Sequence, residues 1–133
     1  MPARKLSARL AGMAGFVEPG ETIADIGADH GYLPLHLLRE GLSPYVVFTD
    51  VQPGPLEKTR LSLQKSGFDE NDPRLRLRLG DGLQPLRNAE VDVVVIAGMG
   101  GETIAAILAH DPEKAIETLQ KQGVRLIFFK KIL

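Results

Sequence analysis

Residues 25–34 read DIGADHGYLP, and this stretch decides the fold. The apolar segment 22–27 ends at Gly27, and after Gly31 leucines recur at helical spacing up to a predicted helix end near Gly41. A strand that passes through a glycine turn into a helix is the repeating unit of parallel α/β sheets, which bind ligands at the carboxyl ends of their strands. The segment therefore predicts both the fold class and the position of a site.

Four more strand-like segments follow, separated mostly by helix-like ones. The five predicted strands are 22–27, 45–49, 74–79, 91–97 and 124–129. The segment 74–79 alternates three arginines with three leucines, and a central parallel strand would be apolar on both faces. We therefore expect this strand at a sheet edge with its arginine face in water, in a Rossmann-like, doubly wound parallel sheet.

Composition further limits the classes of protein to which the chain can belong. The chain has 133 residues, no cysteine and a formal net charge of −1, and it predicts one domain spanning 1–133 without disulfides or a thiolate nucleophile. No apolar run is long enough to cross a membrane. Residues 5–17 are basic and carry apolar residues at helical spacing, which favours an amphipathic N-terminal helix over a transit peptide and agrees with a cytoplasmic location.

Acids and glycines collect where the predicted strands end. The candidate cofactor-binding residues are Asp25, Gly27, Asp29, Gly31, Asp50, Asp81, Gly82, Leu83, Ala97 and Gly98. Asp50 lies 23 residues after Gly27, near the offset at which a carboxylate takes up ribose hydroxyls, although an acid there can also cap the next helix. The glycine turns have a plain structural explanation as well, since glycine and aspartate favour turns in general.

The acids decide between classes of nucleoside cofactor. A dinucleotide fingerprint would need glycine at 27, 29 and 32, whereas this chain has Asp29 and Tyr32 at the last two positions. A carboxylate would repel a pyrophosphate but suits S-adenosyl-L-methionine, which carries a net positive charge. No three residues form a convincing metal site, so none is predicted.

Several motifs together resemble the bacterial tRNA (adenine(22)-N(1))-methyltransferases. They are DIGADHGYLP at 25–34, GPLEKTR at 54–60, GDGL at 80–83, IAGMGG at 96–101 and the opening LSARLAGMAGFV at 6–17. The resemblance spans about residues 6–127. It implies a class I methyltransferase fold, S-adenosyl-L-methionine as donor and methylation of N1 of an adenine in the D-arm region of a tRNA substrate.

Residue roles follow from the same resemblance. Asp50 would hold the ribose, and Asp81, Gly82 and Leu83 the adenine. The methionine moiety would be surrounded by Gly27, Asp29, His30 and Gly31. Candidates for contact with the target base are Asp29, His30, Tyr32, Met99 and Gly100. Adenine N1 has a free lone pair and needs no deprotonation, so positioning supplies much of the rate. His30 has an equally good explanation as a structural hydrogen-bonding residue.

The family pattern continues beyond strand five with two further strands and a helical C-terminal domain, which are absent from this chain. We therefore expect a C-terminally truncated domain with five strands of seven, and an exposed apolar edge at 124–129 that favours self-association. A non-catalytic cofactor-binding remnant is the alternative to an active enzyme, and a nucleotide-dependent enzyme of another class, such as an oxidoreductase, is a third reading. The arginines of 74–79 and the basic N-terminus offer a path for RNA, but a solvated edge face is the favoured explanation.

Overall fold

The computed structural model describes residues 11–12, 14–27, 32–80, 85–87, 90–99 and 125–130, with 97–99 and 125–130 described by their backbone. Its strands are β1 (Ile23–Ile26), β2 (Val46–Asp50), β3 (Leu75–Leu79), β4 (Val93–Met99) and β5 (Arg125–Lys130). Two helices are described in full, α1 (Tyr32–Arg39) and α2 (Pro53–Lys65). Within the described residues, no helix is long and apolar enough to span a membrane.

The five strands form one sheet in the order β3-β2-β1-β4-β5, and every pair is parallel. The chain moves outward from β1 through β2 to β3 and then returns to place β4 on the other side of β1. This reversal next to β1 is the topological switch point, where parallel sheets leave a crevice at their carboxyl ends. The predicted Rossmann-like parallel sheet is confirmed, including its five strands.

The core is built from the three inner strands. All four residues of β1 are buried, as are Val46, Val47 and Phe48 of β2 and 93–96 of β4. Strands buried on both faces have continuous apolar runs, as these do. Leucines of α1 cover one face, among them Leu37, which is fully buried.

Helix α2 begins and ends as its sequence suggests. Proline occupies its first turn, where the lost N–H costs nothing, and Gly67 beyond its end has φ +86°, a conformation that favours glycine. Its buried side chains are Thr59 and Leu63. The Thr59 hydroxyl donates to the Pro55 carbonyl at 3.2 Å, so this polar side chain is satisfied inside the apolar layer.

Strand β3 lies at the edge of the sheet, as its three arginines predicted. Two details of that prediction are wrong. Arg78 does not face water, because it bonds to the Pro85 carbonyl and to Glu90 and only 18% of its side chain is exposed. Leu79 was expected on the covered apolar face but is 58% exposed. The residues that α2 buries, Thr59 and Leu63, come after its first turn.

The N-terminal segment is described from residue 11. Residues 11, 12 and 14 are helical, and the helix ends in a turn in which the Gly15 N–H donates to the Ala11 carbonyl at 3.1 Å. Val17 follows and is buried in the core cluster, 8% exposed. The helical part therefore stops before the predicted boundary at 17, and the predicted helix upstream of residue 11 lies outside the described residues.

Candidate functional site

The end of β1 is tied to the end of β2. Gly27 has φ +68°, which turns the chain out of the sheet, and its N–H donates to the Thr49 carbonyl at 2.9 Å. Asp25 lies two residues earlier and is buried, 6% exposed, on a strand flanked on both sides. It therefore belongs to the wall of the switch point rather than to an open cleft. Asp29, His30 and Gly31 lie outside the described residues.

Helix α1 opens at this same end of the sheet. Tyr32 is its first residue and remains 40% exposed although the following residues are buried. The first N–H groups of a helix have no partner within the helix and can donate hydrogen bonds to an anionic group of a ligand. The predicted contact of Tyr32 with a target base stays a prediction.

Asp50 takes the structural one of the two roles that the sequence left open. Its Oδ1 accepts the Gln52 N–H at 2.9 Å, which orders the turn into α2, where Gln52 itself makes no side-chain cap. The carboxylate is half-buried at the carboxyl end of β2. Among the described residues no group donates to its Oδ2.

Two exposed apolar side chains flank Asp50, and the sequence analysis missed both as site residues. Val51 is 61% exposed, and Leu79, which pairs with Asp50 across the two strands, is 58% exposed. A carboxylate between apolar surfaces suits a ligand that has both hydroxyl groups and a flat apolar ring. For Val51 the sequence offered a signal, because an apolar residue directly after an acid at a strand end is a candidate for contact with the same ligand.

The end of β3 is fixed by its backbone. The Gly80 N–H donates to the Asp50 carbonyl at 2.9 Å, which extends the parallel pairing by one residue. The Pro85 ring packs directly on the Cα of Gly80, so that a Cβ there would overlap Pro85 Cγ and lie 3.1 Å from its Cδ. Glycine at 80 is thus required by contact. The predicted adenine-binding residues Asp81, Gly82 and Leu83 lie outside the described residues.

A half-buried polar cluster joins β3 to residues 85, 87 and 90. Arg78 donates through Nη1 and Nη2 to the two carboxylate oxygens of Glu90, both at 2.6 Å, and through Nη1 to the Pro85 carbonyl at 2.9 Å. The Tyr45 hydroxyl donates to Glu90 Oε2 at 2.8 Å, and the Arg87 N–H to Glu90 Oε1 at 3.0 Å. Four donors on one carboxylate make Glu90 the centre of this cluster.

The cluster shifts the ionisation of its members. Hydrogen bonds from Arg78 lower the pKa of Glu90 from 4.5 to about 2 despite its burial. Burial, and then the hydrogen bond to Glu90, raise the pKa of Tyr45 above its ordinary value. Glu90 and Arg78 are therefore both charged throughout the physiological range.

Strand β4 extends further than the sequence indicated. The predicted strand stopped at 97 and placed AGMGG in the following turn, but β4 runs to Met99 because its backbone continues to pair with β5. The register shifts between Ala97 and Met99, so Gly98 lies at a bulge of the kind that often borders a site. Ala97, Gly98 and Met99 are thus placed in the strand, and Gly100 lies outside the described residues.

No metal centre is formed in the part of the chain that the structure describes. Groups of three or more histidines and carboxylates at ligating distance do not occur there. The same residues contain no buried side-chain nitrogen or oxygen without a hydrogen-bond partner.

Residues 6–127 match a family described as a methyltransferase domain. A curated tRNA (adenine(22)-N(1))-methyltransferase of Bacillus subtilis is 36% identical over 110 residues, 83% of this chain and 45% of that protein. Two solved structures are similar as well. A Streptococcus pneumoniae protein in complex with S-adenosyl-L-methionine is 33% identical with a TM-score of 0.77, over 93% of this chain and 55% of that one. An M. capricolum protein in complex with S-adenosyl-homocysteine is 32% identical with a TM-score of 0.70, over 81% of this chain and 48% of that one. The chain thus spans about half the length of the relatives it matches.

Proposed function

Since the chain belongs to the methyltransferase domain family, we propose that it binds S-adenosyl-L-methionine at the carboxyl ends of β1, β2 and β3. We further propose that it serves the methylation of N1 of an adenine in the D-arm region of tRNA. The observation that carries the cofactor proposal is Asp50, half-buried at the end of β2 with Oδ2 directed to no described donor. The two relatives of known structure hold this cofactor or its demethylated product.

The described residues fit the chemical parts of that cofactor. Asp50 offers a carboxylate oxygen to the ribose hydroxyls, and the exposed side chains of Val51 and Leu79 offer apolar surface to the adenine ring. Gly27 brings backbone close to the ligand without a side chain in the way. When bound, the cofactor supplies an electrophilic methyl group on a sulfonium.

The residues proposed for the remaining contacts complete this assignment. Asp25, Asp29 and Gly31 surround the methionine part together with Gly27, and Ala97 and Gly98 form the floor beneath it. Asp81, Gly82 and Leu83 recognise the adenine, the carboxylate by accepting a hydrogen bond from the exocyclic amine.

The target adenine needs positioning more than proton transfer. Its N1 attacks through a free lone pair, so orientation at the methyl group and exclusion of water contribute most of the acceleration. N1 lies on the Watson–Crick edge, and the base must therefore be unpaired or flipped out of a stack. Asp29, His30, Tyr32, Met99 and Gly100 are proposed to border that base, and the tRNA substrate places the activity in the cytoplasm.

The activity is tested by incubating the purified chain with methyl-labelled S-adenosyl-L-methionine and an unmodified tRNA transcript. Methylation at N1 blocks the Watson–Crick edge, so reverse transcription should stop next to one D-arm adenine. A transcript with guanosine in place of the D-arm adenines serves as control. Cofactor binding without incorporation of label would contradict the transfer step and support the alternative of a non-catalytic cofactor-binding domain.

A matched pair of variants tests the cofactor residues. Asp50→Asn keeps an Oδ1 that accepts the Gln52 N–H, so the turn into α2 is retained. The negative charge that Asp50 would present to the ribose hydroxyls is lost. We expect affinity for S-adenosyl-homocysteine to fall by about 10- to 100-fold, since hydrogen bonds to charged groups contribute about 1.5–3 kcal/mol. Glu57→Gln removes a charge from the exposed pair with Arg60 on α2 and should leave affinity unchanged. Equal affinities for both variants would contradict the assignment of Asp50.

A further inference from the structure

The peptide unit that joins Asp50 to Val51 orients both side chains. Because a peptide unit is planar, the direction of the Asp50 carbonyl fixes the direction in which Val51 leaves β2. That carbonyl accepts the Gly80 N–H at 2.9 Å. The hydrogen bond from the Gln52 N–H to Asp50 Oδ1, also 2.9 Å, is formed one residue beyond the same peptide unit. The Gly80 N–H therefore helps to set where the Asp50 carboxylate and the Val51 side chain lie.

Gly80 is itself held in place by packing. Its φ lies outside the left-handed region, so contact alone excludes a side chain at this position. The Pro85 ring lies on the Cα of Gly80, and a Cβ there would overlap Pro85 Cγ and lie 3.1 Å from Cδ. Pro85 Cβ would be 3.4 Å from the same point, which is an ordinary van der Waals distance. The outer atoms of the Pro85 ring are thus the part that bears on Gly80.

Pro85 is anchored to the sheet through Arg78. The Pro85 carbonyl accepts from Arg78 Nη1 at 2.9 Å, and the guanidinium also donates to both carboxylate oxygens of Glu90 at 2.6 Å. Glu90 accepts the Tyr45 hydroxyl at 2.8 Å, and Tyr45 directly precedes β2. Only 18% of the Arg78 side chain and 9% of the Glu90 side chain are exposed, which shelters their pairing from salt. A continuous series of contacts therefore connects the start of β2 with the carbonyl at its end.

We propose that Pro85 and Arg78 are positioning residues for the Asp50 carboxylate. Pro85 fixes the place of Gly80, whose N–H holds the Asp50 carbonyl, and Arg78 fixes the place of Pro85. The carboxylate then meets the ribose hydroxyls already ordered, which lowers the cost of binding. A bidentate guanidinium–carboxylate pair fixes direction as well as distance, which suits the anchor of such a series. This role rests on the proposed function, since it assumes that Asp50 binds the ribose.

The test compares two ligands by calorimetry on the 133-residue chain: S-adenosyl-homocysteine and its analogue that lacks both ribose hydroxyls. The ratio of their affinities reports the ribose contact, because partial unfolding lowers both affinities by the same factor. Wild type should prefer S-adenosyl-homocysteine by about tenfold or more, and Asp50→Asn should lose most of that preference. Pro85→Ala and Arg78→Ala should each reduce it by about threefold, and neither should reduce it further in the Asp50→Asn background.

Gly80→Ala provides a complementation test of the same contact. Its Cβ overlaps the Pro85 ring, so this variant alone should also reduce the preference. In the double variant with Pro85→Ala, the two Cβ atoms lie 3.4 Å apart, so contact is formed again without the ring. The preference should then return close to the wild-type value, which two independent losses would not allow.

Arg74→Ala is the matched control for Arg78→Ala. Arg74 lies on the same face of β3 but pairs with Asp72 and is 51% exposed, so its removal should leave the preference unchanged. Arg78→Lys retains a charged donor and replaces Arg78→Ala if that variant does not fold.

The outcomes distinguish the positioning role from the proposed function. Folded Pro85 and Arg78 variants that keep the wild-type preference would overturn the positioning role and leave cofactor binding intact. Losses from Gly80→Ala and Pro85→Ala that add in the double variant would do the same. Failure of the wild-type chain to bind S-adenosyl-homocysteine, or equal wild-type affinity for the two ligands, would instead overturn the proposed function of Asp50.

Discussion

Replacing Glu90 with glutamine should remove an acid-sensitive part of the protein's stability. Glu90 is the acceptor of a sheltered ion pair with Arg78, and its pKa is lowered from 4.5 to about 2. Glutamine has the same shape and keeps one acceptor oxygen, so the change removes the charge and leaves the packing. The largely covered guanidinium of Arg78 then lacks its counterion.

The pKa gives the size of the effect. One pKa unit corresponds to about 1.4 kcal/mol, so the folded state gains about 3 kcal/mol from the ionised Glu90 at neutral pH. A carboxyl with a lowered folded-state pKa contributes stability that is present above its unfolded pKa, here 4.5, and lost as the pH falls toward about 2. At pH 3 under half of the contribution should remain.

Urea unfolding of wild type and Glu90→Gln at pH 7 and pH 3 measures this difference. With a slope of about 2 kcal/mol per molar urea, the midpoint of the variant should lie about 1.5 M lower at pH 7. At pH 3 the two curves should approach each other. Glu57→Gln, which removes an exposed carboxylate on α2, should follow wild type at both values. A difference between wild type and Glu90→Gln that stays constant from pH 7 to pH 3 would refute the reasoning.

Four further predictions follow from the same structure. Gly80→Ala should lower the free energy of unfolding by about 1–3 kcal/mol because its Cβ overlaps Pro85 Cγ, and Pro85→Ala should restore part of the loss in a chemical-denaturation experiment. Gly54→Ala, whose Cβ would meet nothing within 4 Å beyond its chain neighbours, should gain little stability in the same experiment, because a helical residue with a Cβ is disfavoured directly before Pro55. Gly27→Ala should cost about 1–2 kcal/mol of stability because of the φ of +68°, and thermal unfolding should show it as a lower Tm. Val51→Asp should leave stability near wild type because the side chain is 61% exposed, yet weaken S-adenosyl-homocysteine binding by calorimetry; unchanged binding would exclude Val51 from the site.

Self-association is a separate expectation from the sheet order. β5 lies at one edge of the five-stranded sheet, and an unpaired strand edge is a template for pairing with a second chain. Sedimentation velocity at increasing concentration should therefore show a dimer or larger species. A monomer at all concentrations would contradict the prediction.

The fold was predictable because the hydrophobic periodicity marks the strands and the glycines mark where they end. Buried strands with continuous apolar runs, such as β2, and an alternating edge strand, β3, differ in pattern for a physical reason, and both were predicted in the right place. Strand ends moved by one or two residues because pairing between neighbours, not composition, decides where a strand stops. Met99 belongs to β4 for that reason.

Within the candidate site, the placement of a residue was predictable where a residue type and a strand end coincide, as at Gly27 and Asp50. It was not predictable where a role depends on a contact distant in sequence. Arg78 looked like its neighbours Arg74 and Arg76, and only the approach of Glu90, 12 positions away, separates them. The exposure of Leu79 likewise depends on how far α2 covers the sheet, which alternation along the strand does not reveal.

The most direct test of the cofactor site is calorimetric titration of the chain with S-adenosyl-homocysteine, repeated with NAD and with the Asp50→Asn variant. The acids at the strand ends favour a cationic cofactor, and Asp50 is proposed to supply the ribose contact. The account predicts binding of S-adenosyl-homocysteine, no competition by NAD and a loss of affinity in Asp50→Asn. Binding of NAD in preference to S-adenosyl-homocysteine, or equal affinity of Asp50→Asn and wild type, would contradict it.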